Sequence, residues 1–160
     1  MILIKRLEDF KSIWGVIDML KGIPYEISPE LMYALMNMGH GDEIVIADGN
    51  FPAASNAQRL VRADGIDCCA ILKAVMQFFP LDTFAEDHAV VMAVRDPNAP
   101  EPPIWSEFRK ILNNAEGREV KLTPIERFEF YARSRKSYCI VATSEKALYA
   151  NIILKKGVVR

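Results

Sequence analysis

The stretch MGHGDEIVIADGNFPA, residues 38–53, sets a histidine between two glycines and then an apolar run closed by an aspartate. Its centre, EIVIAD, is short, continuous and β-branched. Such a run predicts a strand buried on both faces, as in parallel sheets covered by helices. Upstream, Ser28-Pro29-Glu30 places an N-cap before a proline at the first helical position, and Gly39 stops the helix PELMYALMNM. Downstream, LVRAD reads as a short strand, GIDCCAILKAVMQFF as a mostly buried helix ended by Pro80, and HAVVMAV as a second buried strand. The proline-rich RDPNAPEPP is a loop, and IWSEFRKILNNA is helical. Thr123-Pro124-Ile125-Glu126 reads as a capping box that opens the helix PIERFEFYARSRK. SYCIVAT and NIILKK are strands. Strands and helices alternate without repeats, so the expected class is α/β: a single domain whose central sheet is covered by helices on both faces.

The chain has 160 residues, 51% of them hydrophobic and 26% charged, enough to bury a proper core. A net charge of −1 gives no broad field for nucleic acid or an anionic membrane. The basic clusters Arg133, Arg135, Lys136 and Lys155, Lys156 read as solvated helix and strand ends. Cys68, Cys69 and Cys139 have no metal or redox spacing and sit in apolar segments, which fits a reducing cytosol. Residues 1–18 carry Lys5, Arg6, Glu8, Asp9 and Lys11 among apolar residues, so they read as an amphipathic leader without a signal-peptide core. No apolar run is long enough to cross a bilayer.

In open α/β sheets, ligands bind beyond the carboxyl ends of the strands. Asp48 ends such a strand before Gly49-Asn50-Phe51-Pro52, where it serves either as an acceptor for ligand hydroxyls or as a cap on the turn. His40 is either an exposed loop residue or a proton-transfer group, since its side chain titrates near neutrality. His88, opening a buried strand, reads as structural, and no ligand spacing joins it to His40 and Asp48 as a metal site. In PIERFEFYARSRK, Ile125, Phe128 and Ala132 form one apolar face, while Arg127, Phe130, Tyr131 and Ser134 lie opposite. Two aromatic rings on that second face imply burial on both sides, a subunit interface or a sugar-facing wall, with Tyr131 a candidate for the wall. Tyr149 and Asn151, two apart at the start of a strand, share a face and suit hydroxyls rather than phosphates.

Together these residues resemble the ribose pyranase and L-fucose mutarotase family. The segments that carry the resemblance are MLKGIP, SPELMYALMNMGHGDEIVIADGNFPA, VRADG, RFEFYARSRKSYCIVATSE and YANIILKKGV, in order across residues 19–158. NFPA and VRADG are similar to the fucose branch. The resemblance implies a ring-shaped homodecamer with its sugar site at subunit interfaces. It also implies His40 as proton donor, with Asp48, Arg127, Tyr149 and Asn151 binding substrate, and it requires no cofactor or metal. The expected activity is interconversion of the α and β anomers of L-fucose or a related free sugar. A ribose-type ring isomerase and a non-catalytic monosaccharide-binding protein are the alternatives. Two features depart from the family pattern: residues 1–18 precede its usual start, and Gly49 stands where the fucose branch usually has alanine.

Overall fold

The computed structural model describes residues 20–159, so the leader reading for residues 1–18 lies outside the described residues. Within them the chain runs α1 (Pro29–Asn37), β1 (Glu43–Ala47), α2 (Ala53–Asn56), β2 (Leu60–Ala63), α3 (Cys68–Val75) and β3 (Ala89–Met92). It continues through α4 (Pro103–Glu116), β4 (Thr123–Ile125), α5 (Arg127–Lys136), β5 (Cys139–Thr143) and β6 (Ile152–Lys155). The six strands form one sheet in the order β2-β5-β1-β6-β3-β4. β6 runs antiparallel to both its neighbours, β1 and β3, while β1, β5 and β2 pair in parallel, as do β3 and β4.

Alternation along each central strand divides the core in two. Ile44 and Ile46 of β1, Val91 of β3 and Leu154 of β6 face α1, α3 and α4, meeting Leu31, Ile71 and Phe108. Val45, Val90, Ile140 and Ile153 point the other way, onto Phe51, Ala53 and Phe130 from the side of α2 and α5. This is the expected sheet covered on both faces, and it explains why β1 reads as an unbroken apolar run. Local chemistry fixes the helix starts. Ser28 Oγ accepts from the Leu31 amide at 3.1 Å, and Asp67 Oδ1 from the Ala70 amide at 2.8 Å.

The start of α5 differs from its sequence reading. Thr123–Ile125 is an edge strand in register with β3, not the first turn of a helix. Pro124 is tolerated there because an edge strand can leave one side of its backbone unpaired. The N-cap is Glu126, whose carboxylate accepts from the amides of Phe128 (2.6 Å) and Glu129 (3.2 Å). With Ile125 out of the helix, the apolar stripe drawn through it no longer exists. Phe130 and Ser134 form the buried face instead, and Phe128 is 63% exposed. Phe130 packs edge-on to Phe51 with centroids 5.9 Å apart, so its cover is the chain's own core and not another subunit.

The basic residues are not all solvated either. Arg133 bonds Glu43 through Nη2 (2.6 Å) and Nε (3.0 Å), and Asp87 through Nη1 (2.7 Å). Lys155 Nζ joins from the end of β6, 3.2 Å from Asp87. This half-buried network ties α5 to the leading edge of the sheet.

The placement of α5 yields a direct contrast. Phe130→Ala should cost about 3–5 kcal/mol by removing a fully buried ring, whereas Phe128→Ala should stay within about 0.5 kcal/mol. Urea unfolding of both variants measures the difference, and equal costs would reverse the assignment of faces.

Candidate active site

Two polar rims flank the sheet. At the carboxyl end of β1, Asp48 is 5% exposed and Asn151 4% exposed. Asn151 brackets the aspartate. Its Nδ2 donates to Asp48 Oδ2 at 2.8 Å, while its Oδ1 accepts the Asp48 amide at 2.9 Å. Asp48 Oδ1 also accepts the Asn50 amide at 3.0 Å. Asp48 is therefore a turn cap, yet each carboxylate oxygen keeps acceptor capacity for a hydroxyl. The pair meets because residues 144–151, joining β5 to β6, cross over the end of β1. The Gly49 amide donates to the Glu145 carbonyl at 2.9 Å, and Thr143 Oγ1 donates to the Ala47 carbonyl at 2.8 Å. A Cβ on Gly49 would lie 3.1 Å from that Glu145 oxygen, so alanine here would need the crossing loop to give slightly.

Tyr149 lies in the same crossing loop, but not as a strand residue sharing a face with Asn151. Its φ is +58°, in the left-handed region that few large side chains occupy, so strand alternation does not extend to it. Its hydroxyl accepts the Arg95 amide at 3.4 Å, and its carbonyl accepts from Trp105 Nε1 at 3.0 Å. Arg127 follows β4 on this rim, three strands from β1, which at ~4.8 Å per strand is about 14 Å away. Its guanidinium stands over the exposed Phe128 ring, 4.7 Å from the centroid. Tyr131 is half-buried against Phe51, with centroids 5.5 Å apart, which places it beside the loop that leaves Asp48.

His40 is on the other rim, before β1. A five-residue strand spans about 17 Å, so one chain does not bring His40 to Asp48, Tyr149 and Asn151. The histidine sits in a tight turn. Asp42 Oδ2 accepts the Gly39 amide at 2.7 Å, and the Gly41 amide donates to the Lys156 carbonyl at 2.8 Å. The side chain is 48% exposed, and its Nε2 lies 3.3 Å from Asp82 Oδ1. Asp82 was not singled out in the sequence. Its signal is weak: one of three acids, with Glu86 and Asp87, between Pro80 and the strand that follows.

His88 is buried, with its Nδ1 2.8 Å from the Ala85 carbonyl. Burial pushes the thiols of Cys139 to about 12 and Cys69 to about 11, and raises that of Cys68 as well, so none is a thiolate near neutrality. Among the described residues, no cluster of three or more His, Cys, Asp or Glu could hold a metal ion, and no helix is long and apolar enough to cross a membrane.

A model of the RbsD / FucU transport protein family matches residues 21–159. The chain belongs to that family. Human fucose mutarotase is 50% identical over 145 residues, covering 87% of this chain and 94% of the human protein. The L-fucose mutarotase of Haemophilus influenzae (strain 86-028NP) is 41% identical over 140 residues, covering 88% and 97%. Among solved structures, the fucose mutarotase of Streptococcus pneumoniae in complex with L-fucose superposes with a TM-score of 0.83 at 46% identity. It is covered completely, by 88% of this chain. Bacillus subtilis RbsD complexed with D-ribose, at 21% identity and a TM-score of 0.62, shares the fold. In this family member the rim of Asp48 and Asn151 is a built polar feature rather than a surface accident.

That rim can be probed without substrate. Asn151→Ala should destabilise the protein by about 1–3 kcal/mol, because it leaves a buried carboxylate and a buried amide each one partner short. Denaturant midpoints measure this, and an unchanged midpoint would mean that water replaces both bonds.

Proposed function

We infer that the chain interconverts the α and β anomers of L-fucose, an isomerase reaction on a free sugar. The observation that carries this is the identity of 41–50% to fucose mutarotases over most of the chain. The chemistry agrees with it. Mutarotation places a proton on the ring oxygen as the anomeric hydroxyl loses one, opens the ring, and recloses it on the other face. One group that exchanges protons near neutrality, with water as its partner, contributes roughly 10²- to 10⁴-fold. His40 is the proposed proton donor. Asp48, oriented by Asn151, accepts two sugar hydroxyls, while Tyr149 and Arg127 bind further oxygens and Tyr131 lines the wall.

His40 and Asp48 occupy opposite ends of β1, so a complete site takes its histidine from one copy and its aspartate from the next. Copies packed head to tail would join these opposite ends, and such a contact gives a ring where the rotation from copy to copy closes. This supports a ring-shaped homo-oligomer, with a decamer as the proposed size. The free cysteines, with Cys68 and Cys139 buried and Cys69 half-buried, support a cytoplasmic setting.

Saturation-transfer NMR of anomeric exchange tests the activity. Micromolar protein should accelerate exchange of L-fucose; acceleration of ribose alone would select the ribose-type reaction instead. His40→Ala should lose most of the catalysed exchange and keep its sugar affinity, because the imidazole acts as protons move. Unchanged exchange in that variant, with the oligomer intact, would sink the mechanism. Asp48→Asn should weaken both rate and binding, by about ten- to hundredfold in affinity. Assembled from an equal mixture of His40→Ala and Asp48→Asn chains, rings should recover about a quarter of full activity, since random neighbours complete one site in four. No recovery in such rings would remove the two-copy site.

A further inference from the structure

Outside the groups given a role above, one carboxylate stands in direct contact with the proposed proton donor. Asp82 is 4% exposed and lies between α3 and β3. Its Oδ1 accepts the Phe84 amide at 3.0 Å and faces His40 Nε2 at 3.3 Å. The Phe84 ring packs beside the imidazole, with centroids 5.7 Å apart and a tilt of 59°. Among the described residues, Asp82 is the imidazole's only hydrogen-bond partner.

Both groups are held by the same strand end. The Asp82 amide donates to the Lys155 carbonyl at 3.0 Å, and the Gly157 amide to the Pro80 carbonyl at 2.8 Å. A Cβ on Gly157 would lie 2.4 Å from the Leu81 oxygen and 2.9 Å from the Asp82 Cα, so the two backbones are pressed together. From the other side, the turn of His40 bonds Lys156 in both directions: Gly41 amide to Lys156 carbonyl, and Lys156 amide to Asp42 carbonyl, each at 2.8 Å. The contact is therefore built in, not a chance approach of two surface side chains.

We propose that Asp82 is the positioning residue of the mutarotase reaction, holding a proton on His40 Nε2 so that Nδ1 is the atom that exchanges protons with the sugar. This rests on the reading of His40 as proton donor. In ring opening the C1–O5 bond breaks, O5 takes the proton from Nδ1, and the anomeric hydroxyl gives its own to water. The imidazole is left neutral with its hydrogen on Nε2, still directed at Asp82; reclosure reverses each transfer. A carboxylate at Nε2 fixes the tautomer and favours the charged imidazole that donates, as orienting carboxylates do beside catalytic histidines. The Phe84 amide, and beyond it His40, hold the Asp82 carboxyl below the usual carboxylate range against the opposing effect of burial, so it carries its charge at neutral pH. The other charged groups near this contact are Asp42, whose carboxylate is engaged by Gly39, and Lys155, which leans toward Asp82, Asp87 and Glu43.

The sign of the pH effect follows. A carboxylate that stays ionised opposite Nε2 attracts the protonated ring, so we expect Asp82→Asn to lower the measured His40 titration midpoint. The chain has two histidines, so ¹⁵N–¹H spectra of the intact protein, assigned with His40→Ala, resolve the ring directly. The wild type should show the Nε2–H tautomer above its midpoint. In Asp82→Asn we expect kcat to fall about tenfold or more, KM to change less than about threefold, and the pH limb of kcat to move down with the midpoint. Asp82→Glu should recover the midpoint and part of kcat, and it serves as the second variant if asparagine does not fold. An Nδ1–H tautomer in the wild type, or an Asp82→Asn protein with unchanged midpoint and kcat, overturns the proposal. A wild type that shows the expected tautomer and midpoint but leaves fucose exchange unaffected would reject the activity alone.

Discussion

Strand β6 runs against its neighbours, and both polar rims depend on that reversal. Because it is antiparallel to β1, its first residues meet the carboxyl end of β1 and its last meet the amino end. At one end this puts Asn151 against Asp48; at the other, Lys155 and Lys156 hold the backbones that carry Asp82 and His40. The reversal is forced by chain length. A parallel return from β5 needs a crossover of a dozen or more residues, whereas residues 144–151 suffice to pass over β1 and come back down. The same short crossing keeps the Asp48 rim tight, since it lays the Glu145 carbonyl directly on Gly49.

The sheet was legible in the sequence because burial on both faces leaves an unbroken apolar run. EIVIAD, AVVM and CIVAT needed no partner to be recognised, and the helices that cover them carried ordinary N-caps at Ser28 and Asp67. What was not legible depends on contacts between distant residues. Thr123–Ile125 is too short to announce a strand and adjoins α5 without a turn between them, so its proline reads as the start of a helix. Arg133 looks like surface charge until Glu43, 90 residues away, is folded beside it. Tyr149 stood out by residue type, but its left-handed backbone is set by the crossing loop and no local pattern signals it. Asp82 gave no signal for the same reason, as its place beside His40 is set by β6 and not by its own segment.

The network of Glu43, Arg133, Asp87 and Lys155 sits at the His40 rim and affects it indirectly. Glu43 opens β1 only a few residues after His40, Asp87 precedes β3 a few residues after Asp82, and Arg133 holds both carboxylates from α5. A bidentate arginine has a rigid fork and loses little freedom per bond formed. It thus fixes the relative position of the two segments that carry the histidine and its carboxylate. The Asp87 carboxyl is driven upward by burial, yet Arg133 and Lys155 hold it below the usual range, so it stays charged and the clamp stays closed at neutral pH.

The two rims differ in exposure, and the tasks proposed for them would account for the difference. A group that gives and takes protons must keep contact with water, and a half-exposed imidazole does so; full burial would disfavour its charged form and move it away from neutrality. A group that holds hydroxyls in place gains from the opposite environment. Asp48 is nearly sealed and its own hydrogen bonds are already made, so in its proposed role bonds to a sugar would form where water competes little. One chain thus sets an exposed imidazole and a buried carboxylate at opposite ends of a single strand. In the proposed two-copy site neither rim would need to compromise, because a contact between copies would bring the two environments together.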